Sequence, residues 1–399
     1  MIFRKLSTIE EARKILRANA RKVGCETIEV KESLGRVLAQ DVVSGIDVPH
    51  FKKAAMDGFA VKSQDTVGAG ETNPVNLRMI GRLYAGEIPK KRLTKGTCIE
   101  IATGAMMPEG SDAVVMVEYT KGSGNLIQIQ KEAGRNTHVV LIGSDIKKGQ
   151  VVLRKGLVLK PHHTAVLSSL GLKEVRVRRR PKVAVLSTGN ELLHSGEKLT
   201  KGKIYGINNR ALADALKIAG ACVEDLGMVG DDAKEIRKRI ASAIEDVDLL
   251  LVSGGSSVGK EDLMPEVISG LGKILLHGIS IKPGKPVLIG KIKGKLVIGL
   301  PGYPTSALIV FHAFIIPLLN HMMNKADDRV KVDALLSEEF SSGKRYTFLP
   351  VRFSAADNVA VPVFKGSSAI TSLGMADGFI EVPGNKTLRK NSRVTVCLI

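Results

Sequence analysis

Lys182-Val-Ala-Val-Leu-Ser-Thr-Gly-Asn-Glu191 decides the architecture of this chain. The run Val183 to Ser187 is apolar on consecutive positions rather than alternate ones, the pattern of a strand buried on both faces, and Thr188-Gly-Asn-Glu191 breaks it into a loop. The same grammar recurs twice. Leu249-Leu-Leu-Val-Ser253 runs into Gly254-Gly-Ser-Ser-Val-Gly259 and Lys260-Glu-Asp262, and Leu296-Val-Ile-Gly-Leu300 runs into Pro301-Gly-Tyr-Pro-Thr-Ser306. A fourth strand is expected at Val223 to Val229, with helices at Asn208 to Ile218, Asp232 to Ile244 and Thr305 to Met322. Strands alternating with helices predict an α/β domain of three layers, with a mostly parallel sheet covered on both faces.

Working outward, Ser7 and Thr8 each have a glutamate three residues on, a capping box that predicts a helix to about Ala20. Short Val/Ile runs in a Gly-rich region, such as Asp112-Ala-Val-Val-Met-Val-Glu118 and Asn125-Leu-Ile-Gln-Ile-Gln130, predict a small β domain. It is inserted into a helix-and-strand domain, and the tail returns to β-like runs. The expected division is 1–48 with 140–178 (discontinuous), 49–139 (β insert), 179–324 (α/β) and 325–399 (C-terminal β).

Composition bounds the function. A net charge of +19 favours anionic partners, but aromatics are 4% with no Trp, so base-stacking platforms are scarce and a nucleic-acid role is not expected. The basic run Val175-Arg-Val-Arg-Arg-Arg-Pro-Lys182 is read as an exposed strand edge leading into a linker. Cys25, Cys98, Cys222 and Cys397 are far apart, as in a reducing cytoplasm, and neither a disulfide framework nor a zinc site is expected. The apolar stretch Ile309 to Leu319 contains His312 and Pro317 and is short for a bilayer, so no membrane role is expected.

In open α/β sheets ligands gather at the carboxyl ends of the strands. Three glycine-containing loops there predict a phosphate-binding crevice, with Gly254, Gly255, Ser256, Pro301 and Ser306 as its candidate residues. The spacing fits neither the P-loop nor G-x-G-x-x-G, which removes ATPase and dehydrogenase readings. Glu191, Asp231 and Asp262 fall near the same strand ends and suit Mg²⁺ held between protein and phosphate, although Asp231 and Asp232 also read as helix caps. Lys282 and Lys285 sit on the stiff turn Ile281-Lys-Pro-Gly-Lys-Pro286 and suit an oxyanion. Ala55-Met-Asp-Gly-Phe59 and Ala102-Thr-Gly-Ala-Met-Met-Pro-Glu109 taken alone are ordinary turns. From the residues themselves, the chain reads as an anion-binding, metal-dependent enzyme.

Together these segments resemble the MoeA family of molybdopterin molybdenumtransferases, which includes the C-terminal part of gephyrin. The likeness runs from Val48-Pro-His-Phe51 and Met56-Asp-Gly-Phe-Ala-Val61 through Ile101-Ala-Thr-Gly-Ala105, Leu186-Ser-Thr-Gly-Asn-Glu-Leu192 and Gly206-Ile-Asn-Asn209. It continues through Ser253-Gly-Gly-Ser-Ser-Val-Gly259, Ile281 to Pro286 and Gly299 to Ser306, and ends at Gly366-Ser-Ser368. The resemblance implies a central domain like the molybdopterin adenylyltransferases and a homodimer whose active site lies between that domain and the β insert of the other subunit. It implies Asp57, Thr103, Glu191, Asp231 and Asp262 as functional positions, with the acids around Mg²⁺ and the pterin pyrophosphate. Lys282 and Lys285, with Arg352 and Ser367 in the tail, are implied oxyanion contacts. The implied reaction inserts molybdate (or tungstate) into adenylylated molybdopterin and releases AMP; a gephyrin-like scaffold without catalysis is the alternative. The sequence departs from the family pattern at Lys52-Lys53-Ala-Ala55, at Asn190 and at Tyr303.

Overall fold

The computed structural model describes residues 6–255, 263–327 and 329–399. Its central sheet has six strands in the order Cys222–Val229, Lys182–Thr188, Leu249–Ser253, Lys295–Leu300, Leu288–Ile292, Lys273–His277. The first four are mutually parallel, Leu288–Ile292 runs against them, and Lys273–His277, antiparallel to Leu288–Ile292, runs in the direction of the first four again. Alternation along the strands explains their unbroken apolar character. Val183, Val185, Leu249 and Leu251 point into one core, while Ala184, Leu186, Leu250 and Val252 point into another on the opposite face. Helix Asn208–Ile218 and the long helix Pro304–Met323 cover the first face; helices Ala233–Ala243 and Met264–Leu271 cover the second. The antiparallel hairpin Leu288–Leu300 adds to the parallel sheet expected from sequence. Its two-residue turn, Lys293-Gly294, has positive φ at both positions (48° and 79°), as the right-handed twist of a hairpin demands.

The helix Pro304–Met323 is longer than its apolar core suggested. By length and composition alone it could cross a bilayer, yet 72% of its most apolar window is buried inside the protein. A π-helical turn at Phe311–Ile315 precedes Pro317, so the helix continues through the proline.

At the N-terminus the capping box forms on Thr8: its hydroxyl accepts from the Glu11 amide at 3.1 Å and Glu11 accepts from the Thr8 amide at 2.9 Å. The helix it starts, Ile9–Asn19, buries Ile9, Ala12 and Leu16 in the core of the central sheet. It therefore packs with the α/β segment, although it is contiguous with residues that fold elsewhere. Strands Cys25–Glu29 and Glu174–Arg178 pair with each other, as do Val42–Val43 and Val151–Leu153, so the two halves of the discontinuous segment share one core around Leu38, Leu159 and Val177. Between them lies a six-stranded sheet in the order Ala113–Met116, Gly58–Val61, Thr97–Ile101, Val75–Leu83, Leu126–Ile129, Thr120–Ser123.

The C-terminal strands close into a barrel. Tyr346–Ser354 pairs with Val359–Pro362 on one side and Gly378–Val382 on the other, and Lys331–Leu336 and Arg393–Leu398 complete the ring. Closure gives each of these five strands a neighbour on both sides. Ile281–Lys282 adds a short parallel strand at Tyr346 and Thr347, which ties the central segment to the barrel.

The basic run is structural. Its strand pairs with Cys25–Glu29, and Arg179 grips Asp248 through two 2.9 Å hydrogen bonds while the Lys182 amide gives a third at 2.8 Å. Burial alone would raise the Asp248 carboxyl pKa; the Arg179 and Lys182 hydrogen bonds win and hold it below the usual range. A folded pKa below the unfolded value of ~3.9 adds stability that is complete above about pH 5 and lost as pH falls through the folded value. Asp248→Ala should cost about 2 kcal/mol at pH 7, a figure reduced for the partial exposure of Arg179. Urea melts at pH 7 and pH 3 should show the gap narrowing at the acid end.

All four cysteines are free thiols, and burial pushes the Cys98 pKa up to about 12.

Candidate active site

The strand ends Thr188, Ser253 and Leu300 adjoin one another in register (Ser187 opposite Ser253, Ser253 opposite Leu300), so the loops that follow converge. They form the floor of a cavity of about 660 Å³. Gly254 shows how close the approach is. It has φ +101°, its amide donates to the Leu300 carbonyl at 3.2 Å, and a Cβ there would stand 2.2 Å from the Thr188 carbonyl oxygen. Only glycine fits.

Asn208 and Asn209, at the start of helix Asn208–Ile218, brace the floor. The Asn208 amide donates to Ser253 Oγ and to the Gly302 carbonyl, both at 2.7 Å, linking the second and third loops. Buried Asn209 accepts from Ser187 Oγ at 2.5 Å and donates to Asp225 Oδ1 at 2.6 Å and the Gly227 carbonyl at 2.7 Å. These two residues belong to a motif visible in the sequence, but their role needed the fold to place Ser253 and Gly302 beside them. Thr188, 4% exposed, has a hydroxyl with no hydrogen-bond partner among the described residues, at the lining of the cavity. A buried hydroxyl left so is costly and suits a polar ligand atom.

Glu191 and Asp231 both line the cavity and are exposed. Asp231 is locked to the first loop by reciprocal 3.0 Å bonds: its carboxylate accepts from the Asn190 amide, and its own amide donates to Asn190 Oδ1. The departure to Asn190 thus keeps the acceptor and leaves one negative charge fewer beside Asp231. Helix capping falls instead to Asp232, which accepts from the Lys234 amide at 2.7 Å. That separates the two readings of the Asp231-Asp232 pair. Ser256 and Asp262 lie outside the described residues.

Gly254, Gly255 and Pro301 line the cavity; Ser306 is buried in the helix behind it. Lys282 is exposed on the short strand, and neither it nor Lys285 is among the lining residues, where Pro286 of the same turn stands. The turn is also a packing device: a Cβ at Gly284 would meet Val310 Cγ2 at 2.5 Å. Arg352 is exposed five positions beyond Thr347, the partner of Lys282, or roughly 16 Å along the strand. Ser367 is not in the lining, but Ser368 and Ile370 from the same barrel segment are.

Asp57 and Thr103 meet each other and stand apart from this cavity. The Thr103 amide and hydroxyl donate to Asp57 Oδ1 at 2.7 and 3.0 Å, which holds the Asp57 carboxyl below its ordinary pKa. Asp57 lines a separate hollow of about 260 Å³ with Arg82, Tyr84 and Glu100. Within one chain the structure does not join the two acid sites.

Comparison with known proteins covers nearly the whole length. Residues 7–171 match the MoeA N-terminal region (domain I and II), 184–321 a probable molybdopterin binding domain, and 333–399 the MoeA C-terminal region (domain IV). A molybdopterin molybdenumtransferase of Staphylococcus epidermidis is 33% identical over 383 residues, 94% of this chain and 91% of the relative. One from Haemophilus influenzae is 37% identical over 314 residues, 78% of this chain and 76% of the relative. The crystal structure of a molybdopterin biosynthesis MoeA protein from Pyrococcus horikoshii superposes with TM-score 0.88 at 41% identity, covering 99% of both chains. The converging loops, the split pair of acid sites and this end-to-end likeness have one reading: the chain belongs to the MoeA family of molybdopterin molybdenumtransferases.

Proposed function

We propose that this protein inserts molybdate into adenylylated molybdopterin, with Mg²⁺ and with release of AMP, as a step of molybdenum cofactor biosynthesis in the cytoplasm. The observation that carries the reading is the 660 Å³ cavity, where glycine loops from three strand ends meet two carboxylates. In this reading the Gly254 and Gly255 segment cradles the pyrophosphate, and the Thr188 hydroxyl bonds a substrate oxygen. Asn208 keeps the loops at fixed spacing. Lys282 and Lys285 approach from the Pro286 side and Arg352 and Ser367 from the barrel side, serving separate parts of the two anions.

The donor set fits Mg²⁺. Glu191 and Asp231 offer hard carboxylate oxygens, and no group of three potential metal ligands forms among the described residues. A two-carboxylate site completed by substrate phosphates is the usual manner of holding this ion; Asp262 would add a third carboxylate. When bound, Mg²⁺ supplies charge neutralisation between two anions that otherwise repel. The separate Asp57–Thr103 hollow supports a homodimer in which that hollow of one subunit faces the larger cavity of the other.

The test is incubation with adenylylated molybdopterin and molybdate, measuring AMP and metal-loaded product. Wild type should release AMP with molybdate and Mg²⁺, and EDTA should reduce the rate at least about 100-fold, restored by Mg²⁺. A parallel arm with tungstate fixes the metal. Persistence of the adenylylated substrate with either oxyanion would leave the scaffold reading; equal rates after chelation would remove Mg²⁺ from the proposal.

A further inference from the structure

We propose that Thr305 is a positioning residue that ties the barrel segment Gly366–Ile370 to the mouth of the cavity and so sets substrate affinity. The proposal rests on the cavity being the substrate site. Thr305 is fully buried at the start of the long helix, directly after Tyr303 and Pro304, which line one wall. Its hydroxyl donates to the Ala369 carbonyl at 2.8 Å, bridging 64 residues. Ala369 lies between Ser368 and Ile370, and both of those line the cavity as well. One buried hydroxyl therefore joins two segments of the cavity lining.

The rest of the segment is held locally. Ser372, also fully buried, accepts from the Lys365 amide at 2.9 Å, and the Ala369 and Ser372 amides close turns onto Gly366 and Ala369 at 3.2 and 3.0 Å. These bonds run within the segment and give it its shape. Thr305 supplies the side-chain hydrogen bond from the helix to this segment, while neighbouring Ser306 is buried in the same helical turn. Removing the Thr305 hydroxyl leaves the segment its shape and frees its position.

Thr305→Val keeps the branched shape and removes the donor; Thr305→Ser keeps the donor. In Thr305→Val, amide hydrogen exchange across Lys365–Ile370 should accelerate at least about tenfold, with the barrel strands unchanged. KM for adenylylated molybdopterin should rise about five- to tenfold with kcat within twofold, and Thr305→Ser should restore both readouts. Thr305→Ala serves if the valine variant fails to fold. Unchanged exchange in the segment would refute the tether. Faster exchange with unchanged KM would refute the positioning role. Exchange is read without substrate, so it decides the tether even if the proposed reaction itself fails.

Discussion

Glu191→Gln should lower AMP release from adenylylated molybdopterin in the presence of molybdate at least about 100-fold, while the melting temperature stays within about 2 °C of wild type. The stability half of this follows from exposure: Glu191 sits in a solvent-facing loop, and the amide is nearly isosteric. The activity half follows from charge. A factor of 100 corresponds to about 2.7 kcal/mol, an ordinary loss when one ligand of a catalytic metal ion loses its charge. Glu191 is the cleaner choice over Asp231, whose carboxylate also holds the Asn190 amide, so that its removal disturbs the loop as well. Higher Mg²⁺ should recover part of the lost rate. A variant within threefold of wild type at limiting Mg²⁺ would mean that Glu191 is not a ligand and would weaken the metal reading as a whole.

What the sequence disclosed depended on the range of the interaction. Strands buried on both faces declare themselves through consecutive apolar residues, so the four parallel strands and three of the helices that cover them were legible within a residue or two, while the helix Met264–Leu271 was not read. The N-terminal capping box was legible too, because it spans only three residues; the structure chose Thr8 over Ser7. The hairpin Leu288–Leu300 carried a local signal in Lys293-Gly294, but a lysine is an uncommon residue at positive φ and the turn was not read. Barrel closure had no local signal, since Tyr346–Ser354 meets Gly378–Val382 across a long excursion. For the same reason the helix Ile9–Asn19, legible as a helix, gave no indication that its apolar face belongs to the central core.

The site shows the same division. Loops after strands announced the crevice through position and glycine content, and Glu191 and Asp231 arrived there because the loops did. Asn208, Thr188 and Thr305 were not singled out, because an amide or hydroxyl acquires a role only through partners that are 45 or 64 residues away, or through the lack of one. Asp57 and Thr103 looked like ordinary turns and remain a self-contained pair within one chain. Their proposed connection to the larger cavity runs through a second subunit, a relation that no single-chain pattern encodes.

Gly254→Ala should be the most damaging conservative substitution in the central domain, costing about 4 kcal/mol or more and lowering its melting temperature by about 10 °C. Two costs combine. Holding a non-glycine residue at φ +101° costs about 1–3 kcal/mol. The added methyl would also stand 2.2 Å from the Thr188 carbonyl and 2.8 Å from its hydroxyl, and the carbonyl belongs to a strand flanked on both sides by parallel neighbours. Backbone locked in a central sheet cannot retreat as a flexible side chain could. Gly196→Ala separates the costs: its φ is +93°, but nothing lies within 4 Å of the added methyl, so it should show the conformational cost alone. Thermal melts of both variants, with hydrogen exchange on the strand Lys182–Thr188, provide the comparison. If the two substitutions cost the same, the close approach of the second loop to Thr188 is not what holds the cavity floor together.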